Sequence, residues 1–528
     1  MPTRIVLPLL AAVAALAAVL AVPAPASASG ATAVAAGGQH SCALIEQGRV
    51  SCWGRNLSGQ LGNGSTTASQ TPVGVCAVAS CLVPLTGTTM ISGGSASTCA
   101  LMGGGSVTCW GSNFYGQLGD GTNDDRHRPV TVTGLTNATS VSAGVAHTCA
   151  VTSDTKIRCW GYNILGQLGN ASTADTNVPV TVCRILLIPL APAGIDLCLD
   201  VSGFAAVAAG SVHTCALTTT SEVRCWGANN SGQLGDGTDQ LRTQPVAVCG
   251  DITCTDNLTG VTAVAVGEVR SCALMASGGV KCWGALPGDG SQGPVGAPVD
   301  VCADATCSSL LSNVTAISGG GPHACALLSG GAVRCWGTNA MGQLGNGTTN
   351  SSKTPVTVCA AIPCTPAAHY AALSGGHQQH TCGVTDERAV RCWGRNEEGQ
   401  LGAASSDSCF DAADLSNDAC SLTPLQVTGL EEKPAPTATS PPTATSPLPT
   451  TTPLPTNTPL PGGLPGDANC DGVVNAIDAA LILQVAAGLL AVLPCPEHAD
   501  VNGDGQINAI DAALILQFAA GLLPALPP

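Results

Sequence analysis

The sequence is poor in charged and aromatic residues. Only 10% of its 528 residues are charged and 3% are aromatic, whereas it holds 65 glycines and 35 prolines. This composition argues against long helices and coiled coils, and it favours many short strands joined by turns. Any core is expected to consist mainly of Ala, Val, Leu and Trp.

Basic residues are absent from the C-terminal part, where none follows Lys433. The last 95 residues carry seven acids, and the preceding part has 27 acids against 18 bases. With a net charge of −16, the chain offers no basic face to phosphates, which argues against nucleic-acid binding. An acidic segment without bases is more consistent with a bound divalent cation.

Residues 1–28 have the pattern of a signal peptide. Arg4 precedes an apolar run from Ile5 to Val22, and Ala26-Ser27-Ala28 is a small-residue cleavage site. A retained membrane anchor is the alternative, since a run of about 18 residues is near the lower limit for a span. We expect a secreted protein, extracellular or associated with the cell surface, whose 28 cysteines form disulfides.

A Cys-x₉-Cys-Trp-Gly unit occurs seven times and contains every tryptophan of the chain. Around it the sequence reads Gly-x-x-His-Thr-Cys-Ala-Leu, then a polar turn, then Val-x-Cys-Trp-Gly-x-Asn-x-x-Gly-Gln-Leu-Gly. The predicted cysteine pairs are Cys42–Cys52, Cys99–Cys109, Cys149–Cys159, Cys215–Cys225, Cys272–Cys282, Cys325–Cys335 and Cys382–Cys392. The tryptophans are Trp53, Trp110, Trp160, Trp226, Trp283, Trp336 and Trp393.

Each unit predicts about four short strands, because runs of alternating β-branched residues flank Gly and Ser turns. The constant spacing fits two cysteines that face each other across a hairpin, with Cα atoms about 5.5 Å apart. Seven units that cannot bury their own faces favour radial closure, with each Trp between neighbouring blades. A solenoid is the alternative, but no capping repeat is visible.

The repeated unit resembles the regulator of chromosome condensation repeat family over residues 29–430. The resemblance implies an all-β fold, a seven-bladed β-propeller. The fifth unit departs from the pattern, because Trp283-Gly284 is followed by Ala-Leu-Pro-Gly-Asp-Gly. Some secreted relatives bind and inhibit enzymes, which favours protein recognition. Guanine-nucleotide exchange, the activity of the eukaryotic namesake, is a remote alternative that export and the missing basic patch oppose.

A second set of cysteines follows the last strand of five units. Parity supports local pairing, because all 28 cysteines then find a mate. Their loops are expected on one face of the disc, either as staples or as a rigid binding face. The predicted pairs, with two further ones in the last unit and the tail, are Cys76–Cys81, Cys183–Cys198, Cys249–Cys254, Cys302–Cys307, Cys359–Cys364, Cys409–Cys420 and Cys470–Cys495.

Histidines stand two residues before the first cysteine in five units, and Ser97 and Arg270 replace them in the others. They predict either a metal-binding ring or, in our preferred interpretation, structural side chains that satisfy backbone groups. The sequence shows no repeated carboxylate pair, no Gly-x-Ser-x-Gly elbow and no phosphate loop, so we predict no catalytic residue. The histidines are His40, His147, His213, His323 and His380.

Residues 431–465 are rich in Pro and Thr and predict an extended linker. In residues 466–528 a twelve-residue motif occurs twice, with side-chain oxygens at positions 1, 3, 5, 9 and 12 and Gly at position 6. Oxygen ligands in this order predict two EF-hand-like calcium loops, with a backbone carbonyl at position 7. The predicted ligands are Asp467, Asn469, Asp471, Val473, Asn475 and Asp478, then Asp500, Asn502, Asp504, Gln506, Asn508 and Asp511.

Each loop leads into an apolar segment, Ala479–Leu490 or Ala512–Leu523, that predicts a helix. Loop and helix, twice over, resemble a type I dockerin, a small all-α module. The resemblance implies two calcium ions and docking onto a cohesin. Loop positions 10 and 11 are Ala476-Ile477 and Ala509-Ile510, which differ from the usual Ser-Thr. They predict either two apolar docking faces or packing inside the module.

These patterns together predict a secreted, non-enzymatic, protein-binding propeller that a calcium-dependent dockerin module tethers to a cohesin-like partner. The propeller itself would bind an extracellular protein or glycan. The alternative is a component or accessory module of polysaccharide degradation, associated with glycoside hydrolases as in a cellulosome.

Overall fold

The computed structural model describes residues 30–78, 80–186, 197–291, 293–365, 368–411 and 416–430, and in the tail residues 467, 468, 474, 478, 479, 481, 482, 493, 495, 498–502, 507, 508, 511, 512, 514 and 515. The predicted signal peptide and linker lie outside these residues. The chain divides into two compact units, residues 1–437 and 438–528.

The first unit contains seven antiparallel sheets that are each formed by one repeat, together with a separate two-stranded sheet. The first four strands of the chain show the pattern, because β1 pairs with β2, β2 with β3 and β3 with β4. Polar turns and glycines with positive φ separate the strands, which explains the short strand length.

Blades 1 to 4 are formed by the first eighteen strands, apart from the hairpin β13–β14. Blade 1 contains β1 (Ala31–Ala36), β2 (His40–Ile45), β3 (Arg49–Gly54) and β4 (Ser69–Gly74), with a 3-10 turn at Glu46–Gly48. Blade 2 contains β5 (Thr88–Gly93), β6 (Ser97–Met102), β7 (Val107–Gly111) and β8 (Arg126–Thr131). Blade 3 contains β9 (Ala138–Ala143), β10 (His147–Thr152), β11 (Ile157–Gly161) and β12 (Thr176–Thr181). The hairpin β13 (Cys183–Leu186) and β14 (Leu197–Asp200) follows, and blade 4 contains β15 (Phe204–Ala209), β16 (His213–Thr218), β17 (Val223–Gly227) and β18 (Arg242–Ala247).

Blades 5 to 7 repeat the arrangement, and the last blade has a fifth strand. Blade 5 contains β19 (Val261–Val266), β20 (Arg270–Met275), β21 (Val280–Gly284) and β22 (Val295–Asp300). Blade 6 contains β23 (Val314–Gly319), β24 (His323–Leu328), β25 (Val333–Gly337) and β26 (Ser352–Thr357). Blade 7 contains β27 (Tyr370–Gly375), β28 (His380–Thr385), β29 (Val390–Arg395), β30 (Asp407–Asp411) and β31 (Ser416–Gln426), in the order β27-β28-β29-β31-β30.

The ring closes between blades 7 and 1 without an exchange of strands. The first strand of each blade contacts the first strands of both neighbours, and β27 contacts β1 in the same way. Hydrogen bonds across this junction run from the Ala31 amide to the Arg388 carbonyl, 2.9 Å, and from the His377 amide to the Gly37 carbonyl, 2.9 Å. The first strands therefore surround the axis, and the predicted seven-bladed propeller is confirmed.

The core of the propeller is divided among the seven junctions between blades, which we call seams. Every seam has its own apolar cluster, in which the Trp of one blade packs against the preceding blade. At the first seam Trp53 packs against Cys382 and Cys392, and at the second Trp110 packs against Cys42 and Cys52. All seven indoles are fully buried. The predicted position of each Trp between blades is confirmed.

Thirteen disulfides join described cysteines, in the pairs that the spacing predicts. The seven ten-residue pairs span the second and third strands, with Cα atoms 4.0–4.1 Å apart. The expected Cα distance of about 5.5 Å was too long. The observed short distance is typical of the narrow, non-hydrogen-bonded kind of antiparallel pair, whereas about 5.5 Å is typical of the hydrogen-bonded kind. Cys470 lies outside the described residues, and Cys495 is disulfide-bonded.

In the tail, the second unit has a small apolar core. Ala468, Ala479, Ile482, Val501 and Ile515 are among its buried members. The backbone is helical where the two predicted helices begin, at residues 478, 479, 481 and 482 and at residues 511, 512, 514 and 515.

Candidate binding surfaces and calcium module

The repeated histidines form hydrogen bonds between blades with side-chain hydroxyl groups. In five seams the His Nε2 atom lies 2.7–3.0 Å from a Thr or Ser hydroxyl of the next blade. Each hydroxyl stands opposite the Trp of its own hairpin, as Thr214 does opposite Trp226. Our preferred interpretation, a structural role, was correct, but the partner is a side chain of another repeat. The pairs are His40–Thr98, His147–Thr214, His213–Ser271, His323–Thr381 and His380–Ser41.

The hydroxyls fix the protonation of these histidines. Thr214 donates its single hydroxyl hydrogen to the Gln167 carbonyl, 2.9 Å, so it must accept a hydrogen from Nε2 of His147. The Nδ1 atom then carries a lone pair and has no partner among the described residues. Burial, followed by the charges of His213 and His377, lowers the pKa of His147 to about 3. The ring is therefore neutral at physiological pH.

The Gly-Gln-Leu-Gly loop supplies the acceptor at each regular seam. The Gln167 carbonyl accepts from both Thr214 and the Trp226 indole, each at 2.9 Å. The loop is held by Asn163, whose Oδ1 accepts from the Leu168 amide, 2.9 Å. The residues of the motif thus act together as one seam network of His, hydroxyl, Trp and Gln carbonyl.

The mouth of the propeller axis is a candidate binding site. Loops from all seven blades line a cavity of 520 Å³, which includes Gln39, Glu268, Gln378 and Arg395. Its lining holds a single carboxylate, Glu268, and therefore lacks the carboxylate pair that glycosidases use. The mouth is thus suited to polar recognition.

His377 occupies the centre of this mouth. In the other blades a hydrogen bond closes the turn between the first two strands, from the amide of a glycine to the carbonyl three residues later, as from Gly37 to His40. In blade 7 the corresponding bond reaches the carbonyl four residues later, from Gly376 to His380. The inserted His377 reaches across the ring, and its Nε2 lies 3.0 Å from the Ala143 carbonyl of blade 3. Burial lowers its pKa. The sequence shows this insertion, but the repeat pattern gave no reason to place it on the axis.

An apolar arc lies on blades 1 to 3 and was not predicted. In these three blades the residue that follows the Asn of the Trp-Gly-x-Asn motif is apolar. It is Leu57, Phe114 or Ile164, and these side chains are 63%, 72% and 57% exposed, respectively. The Tyr115 ring bridges Phe114 and Tyr162, with centroid distances of 4.9 Å and 4.6 Å. The corresponding positions of blades 4, 6 and 7 hold Asn230, Ala340 and Glu397. We call Leu57, Phe114, Tyr115, Tyr162 and Ile164 the apolar arc.

The second set of disulfides holds equivalent loops. In blades 1, 4 and 5 the first cysteine of the pair forms a β-bridge with the residue eight positions on, as Cys76 does with Pro84. The following Leu85 is buried, and its amide donates to the Val75 carbonyl, 2.8 Å. Cys183 and Cys198 lie instead in the hairpin β13–β14, and Cys409 and Cys420 join β30 to β31. These contacts favour stapling, and the binding face stays a prediction.

Six of the twelve predicted calcium ligands are described. Asp478 and Asp511, at position 12 of each loop, are fully buried. Both oxygens of Asp511 hold its loop, because Oδ1 accepts from the Val501 amide, 3.1 Å, and Oδ2 from the Asn508 amide, 2.9 Å. The predicted ligands and docking residues outside the described residues are Asn469, Asp471, Val473, Asn475, Asp504, Gln506, Ala476, Ile477, Ala509 and Ile510.

The described residues of the tail fit a calcium ion. Asp467, Asp478 and Asp511 are buried carboxylates, and the last 95 residues contain no Lys or Arg. Buried carboxylates need a compensating charge, and an all-oxygen ligand set matches a hard divalent cation. No cluster of three His, Cys, Asp or Glu side chains suited to a metal occurs among the residues that the structure describes.

Fold and seam network define the first unit as a seven-bladed propeller built from one disulfide-stapled repeat. The regulator of chromosome condensation (RCC1) repeat matches residues 47–101, 104–151 and 222–274, and a second model of this repeat matches residues 31–60, 138–167, 204–233, 314–343 and 371–400. The dockerin type I domain matches residues 465–518. The chain belongs to the RCC1 repeat family and carries a C-terminal type I dockerin domain, which is a calcium-binding module.

Curated proteins from plants and mammals are similar to this chain. The chain is 29% identical over 382 residues to the ultraviolet-B receptor UVR8 of Arabidopsis thaliana, covering 71% of this chain and 79% of that protein. It is 29% identical over 334 residues to the E3 ubiquitin-protein ligase HERC2 of Mus musculus, covering 62% of this chain. The match spans only 5% of HERC2.

Solved structures show the same fold at low identity. Yeast RCC1 (Prp20), solved with Kap60 bound, has a TM-score of 0.54 at 16% identity, over 76% of this chain and 85% of that chain. Human WBSCR16 has a TM-score of 0.51 at 21% identity, over 66% and 85%. Within the described residues, no helix is long and apolar enough to cross a membrane.

Proposed function

We propose that this protein is a secreted, non-enzymatic binding propeller that its dockerin module tethers to a cohesin-like receptor. The observation that carries the proposal is the presence, in one chain, of a propeller with disulfides in every blade and a type I dockerin domain. Disulfides persist outside the cytosol, which supports residues 1–28 as a signal peptide. Residues 431–465 then separate the two functional parts.

The tail would bind two calcium ions, one in each loop. Asp478 and Asp511 would each provide the final carboxylate ligand, and calcium would supply the positive charge that the tail lacks. Ala476-Ile477 and Ala509-Ile510 would offer two related apolar faces to the receptor.

The propeller would bind an extracellular protein through the apolar arc. Most apolar surface of a monomeric protein is scattered, whereas exposed aromatic residues in contact with one another are typical of binding surfaces. Phe114, Tyr115 and Tyr162 are three of only seven Phe and Tyr residues in the chain. A glycan at the polar axial mouth is the second kind of ligand that the surface supports. The single carboxylate there opposes a glycoside hydrolase, while an accessory role in polysaccharide degradation stays a prediction.

One capture experiment with the full chain tests both parts. The immobilised protein is exposed to type I cohesin modules and to a native secretome, in calcium and in EGTA, and calorimetry counts the ions. We expect two calcium ions per chain and cohesin capture that EGTA abolishes. Asp478→Asn with Asp511→Asn should lose cohesin but keep the propeller partner, and Phe114→Ser should do the reverse.

Two controls make the outcome decisive. Phe410→Ser changes an aromatic residue that is exposed outside the apolar arc and should keep both partners. Asp251→Asn changes an exposed propeller carboxylate and should leave the calcium count at two. A chain that binds two ions but captures no cohesin contradicts the docking proposal, and an unaffected Phe114→Ser variant contradicts the role of the arc.

A further inference from the structure

The seam between blades 5 and 6 lacks the Gln carbonyl and the hydroxyl group that act as acceptors in the seam network. In the other six seams a Gln carbonyl accepts from the Trp indole at 2.9–3.0 Å. The same carbonyl accepts from a Thr or Ser hydroxyl at 2.8–3.2 Å. At the irregular seam the Gln-Leu loop is shortened, since only three residues lie between Gly284 and Gly288, whereas blade 4 has seven between Gly227 and Gly235. Ala324 stands in the position of the hydroxyl.

Two buried donors remain at this seam. Trp336 is fully buried, and its Nε1 has no hydrogen-bond partner among the described residues. Arg270 takes the position of the seam histidine and is 4% exposed. Its Nε donates to the Ala285 carbonyl, 2.7 Å, but its Nη1 is also without a partner within the described residues. Such a pair of unpaired donors is costly in a protein interior.

The Arg270 guanidinium lies close to the hairpin that carries Trp336. Trp336 pairs with Ala324 across the hairpin, and the adjacent Gly337 pairs with His323. A Cβ placed on Gly337 would lie 3.3 Å from Arg270 Nη1, so the guanidinium lies beside the residue that follows Trp336. In the regular seams, this is where the histidine, the hydroxyl and the indole meet.

The charge of Arg270 is not balanced by a carboxylate within the described part of the chain. Burial alone lowers the pKa of Arg270 to about 10, and no acidic group contributes. The side chain therefore remains a cation at neutral pH. A buried cation without a counter-ion is strongly unfavourable, whereas a buried charge that is paired and hydrogen-bonded is tolerated.

We propose that the seam between blades 5 and 6 binds a small monovalent anion, such as chloride, between Arg270 Nη1 and Trp336 Nε1. A halide accepts from both N–H groups, balances the charge and needs no acceptor of its own. A water molecule would satisfy the donors but leave the charge, and its two hydrogens would need acceptors in place of the missing hydroxyl and Gln carbonyl, since the Ala285 carbonyl already accepts from Arg270 Nε.

Bromide in place of chloride tests the site on the full chain. Crystals grown in sodium bromide should show an anomalous peak between the two donors. In solution, the melting temperature of the propeller should rise by about 1.5 °C for each tenfold increase in chloride above its dissociation constant, at constant ionic strength with gluconate.

Variants separate a specific anion from a general effect of salt. Arg270→Met should lose both the bromide peak and the dependence on chloride, and Trp336→Phe should weaken both while keeping the packing of the ring. Arg126→Met, which removes a surface arginine paired with Asp120 at 2.7 Å, should leave both unchanged. A water without anomalous signal at this place, or a chloride effect that persists in Arg270→Met, overturns the proposal.

Discussion

Mild acid should destabilise the propeller through its five seam histidines. Burial is the main cause that lowers their pKa from 6.5 to about 3 for His40, His147 and His323 and to about 4 for His213 and His380. Below pH 6.5 the unfolded chain takes up protons on these rings, whereas the folded chain does not until about pH 4. Unfolding therefore takes up protons in this window, and the free energy of unfolding decreases as the pH falls.

The size of this loss in the free energy of unfolding depends only on the histidine pKa in the unfolded chain, as long as the pKa in the folded chain lies well below the working pH. At pH 5.5 each neutral, buried histidine costs about 1.4 kcal/mol relative to pH 8, and five cost about 7 kcal/mol. Typical net stabilities are about 5–15 kcal/mol, so most of the stability of an average domain would be lost. Carboxylates protonate mainly below pH 4, so the histidines dominate between pH 6.5 and pH 4.5.

The assay is thermal unfolding of the full chain from pH 8 to pH 4.5, with proton uptake taken from the pH dependence of the melting temperature. We expect the five seam histidines to account for close to five protons near pH 5, and His377, whose pKa burial also lowers, to add to this uptake. His213→Gln keeps an N–H donor for Ser271 but cannot titrate, so the uptake should fall by one proton. The exposed His127, changed to Gln, is the matched control and should leave the uptake unchanged. A melting temperature that does not vary between pH 7.5 and pH 5.5 would refute the reasoning.

Two stability predictions concern single hydroxyls. Thr214→Val keeps the shape of the side chain but leaves Nε2 of His147 without an acceptor, while the Gln167 carbonyl keeps only the Trp226 indole as a donor. Chemical denaturation should therefore show a loss of about 1–3 kcal/mol, and a loss no larger than that of a Thr→Val change on an exposed loop would contradict the seam network. Tyr370→Phe should stabilise the propeller by about 1–2 kcal/mol, because this buried hydroxyl has no partner within the described residues. Tyr162→Phe, on the surface, should be neutral, and a loss of stability in Tyr370→Phe would show that its hydroxyl is hydrogen-bonded.

Sequence spacing predicted the features that lie within one repeat. Cys149 and Cys159 are ten residues apart in a two-stranded hairpin, so their pairing depends on local geometry alone. Seven copies of the same hairpin then determined the number of blades, and the Trp in each had to be buried against something outside its own sheet.

Spacing could not predict contacts between repeats. His147 and Thr214 are 67 residues apart, and nothing in either repeat shows that one blade donates to the next. His377 and Ala143 are 234 residues apart and meet only because the ring closes. The apolar arc was missed for another reason, since Phe114 occupies a variable position of the loop and only the structure shows that its ring contacts Tyr115 and leads to Tyr162.

The departures from the repeat are linked to one another by the seam network. At the irregular seam, the shortened loop of blade 5 removes the Gln carbonyl, and without that acceptor a hydroxyl on blade 6 would itself be left unpaired. Ala324 in place of Thr is the consistent substitution, and without the hydroxyl a histidine at position 270 would have no acceptor in the next blade. Three unrelated-looking changes, in the loop, at residue 324 and at Arg270, therefore represent one altered seam. A buried cation at that seam is better explained by a bound anion than by random drift of the repeat, because drift alone would favour an uncharged side chain.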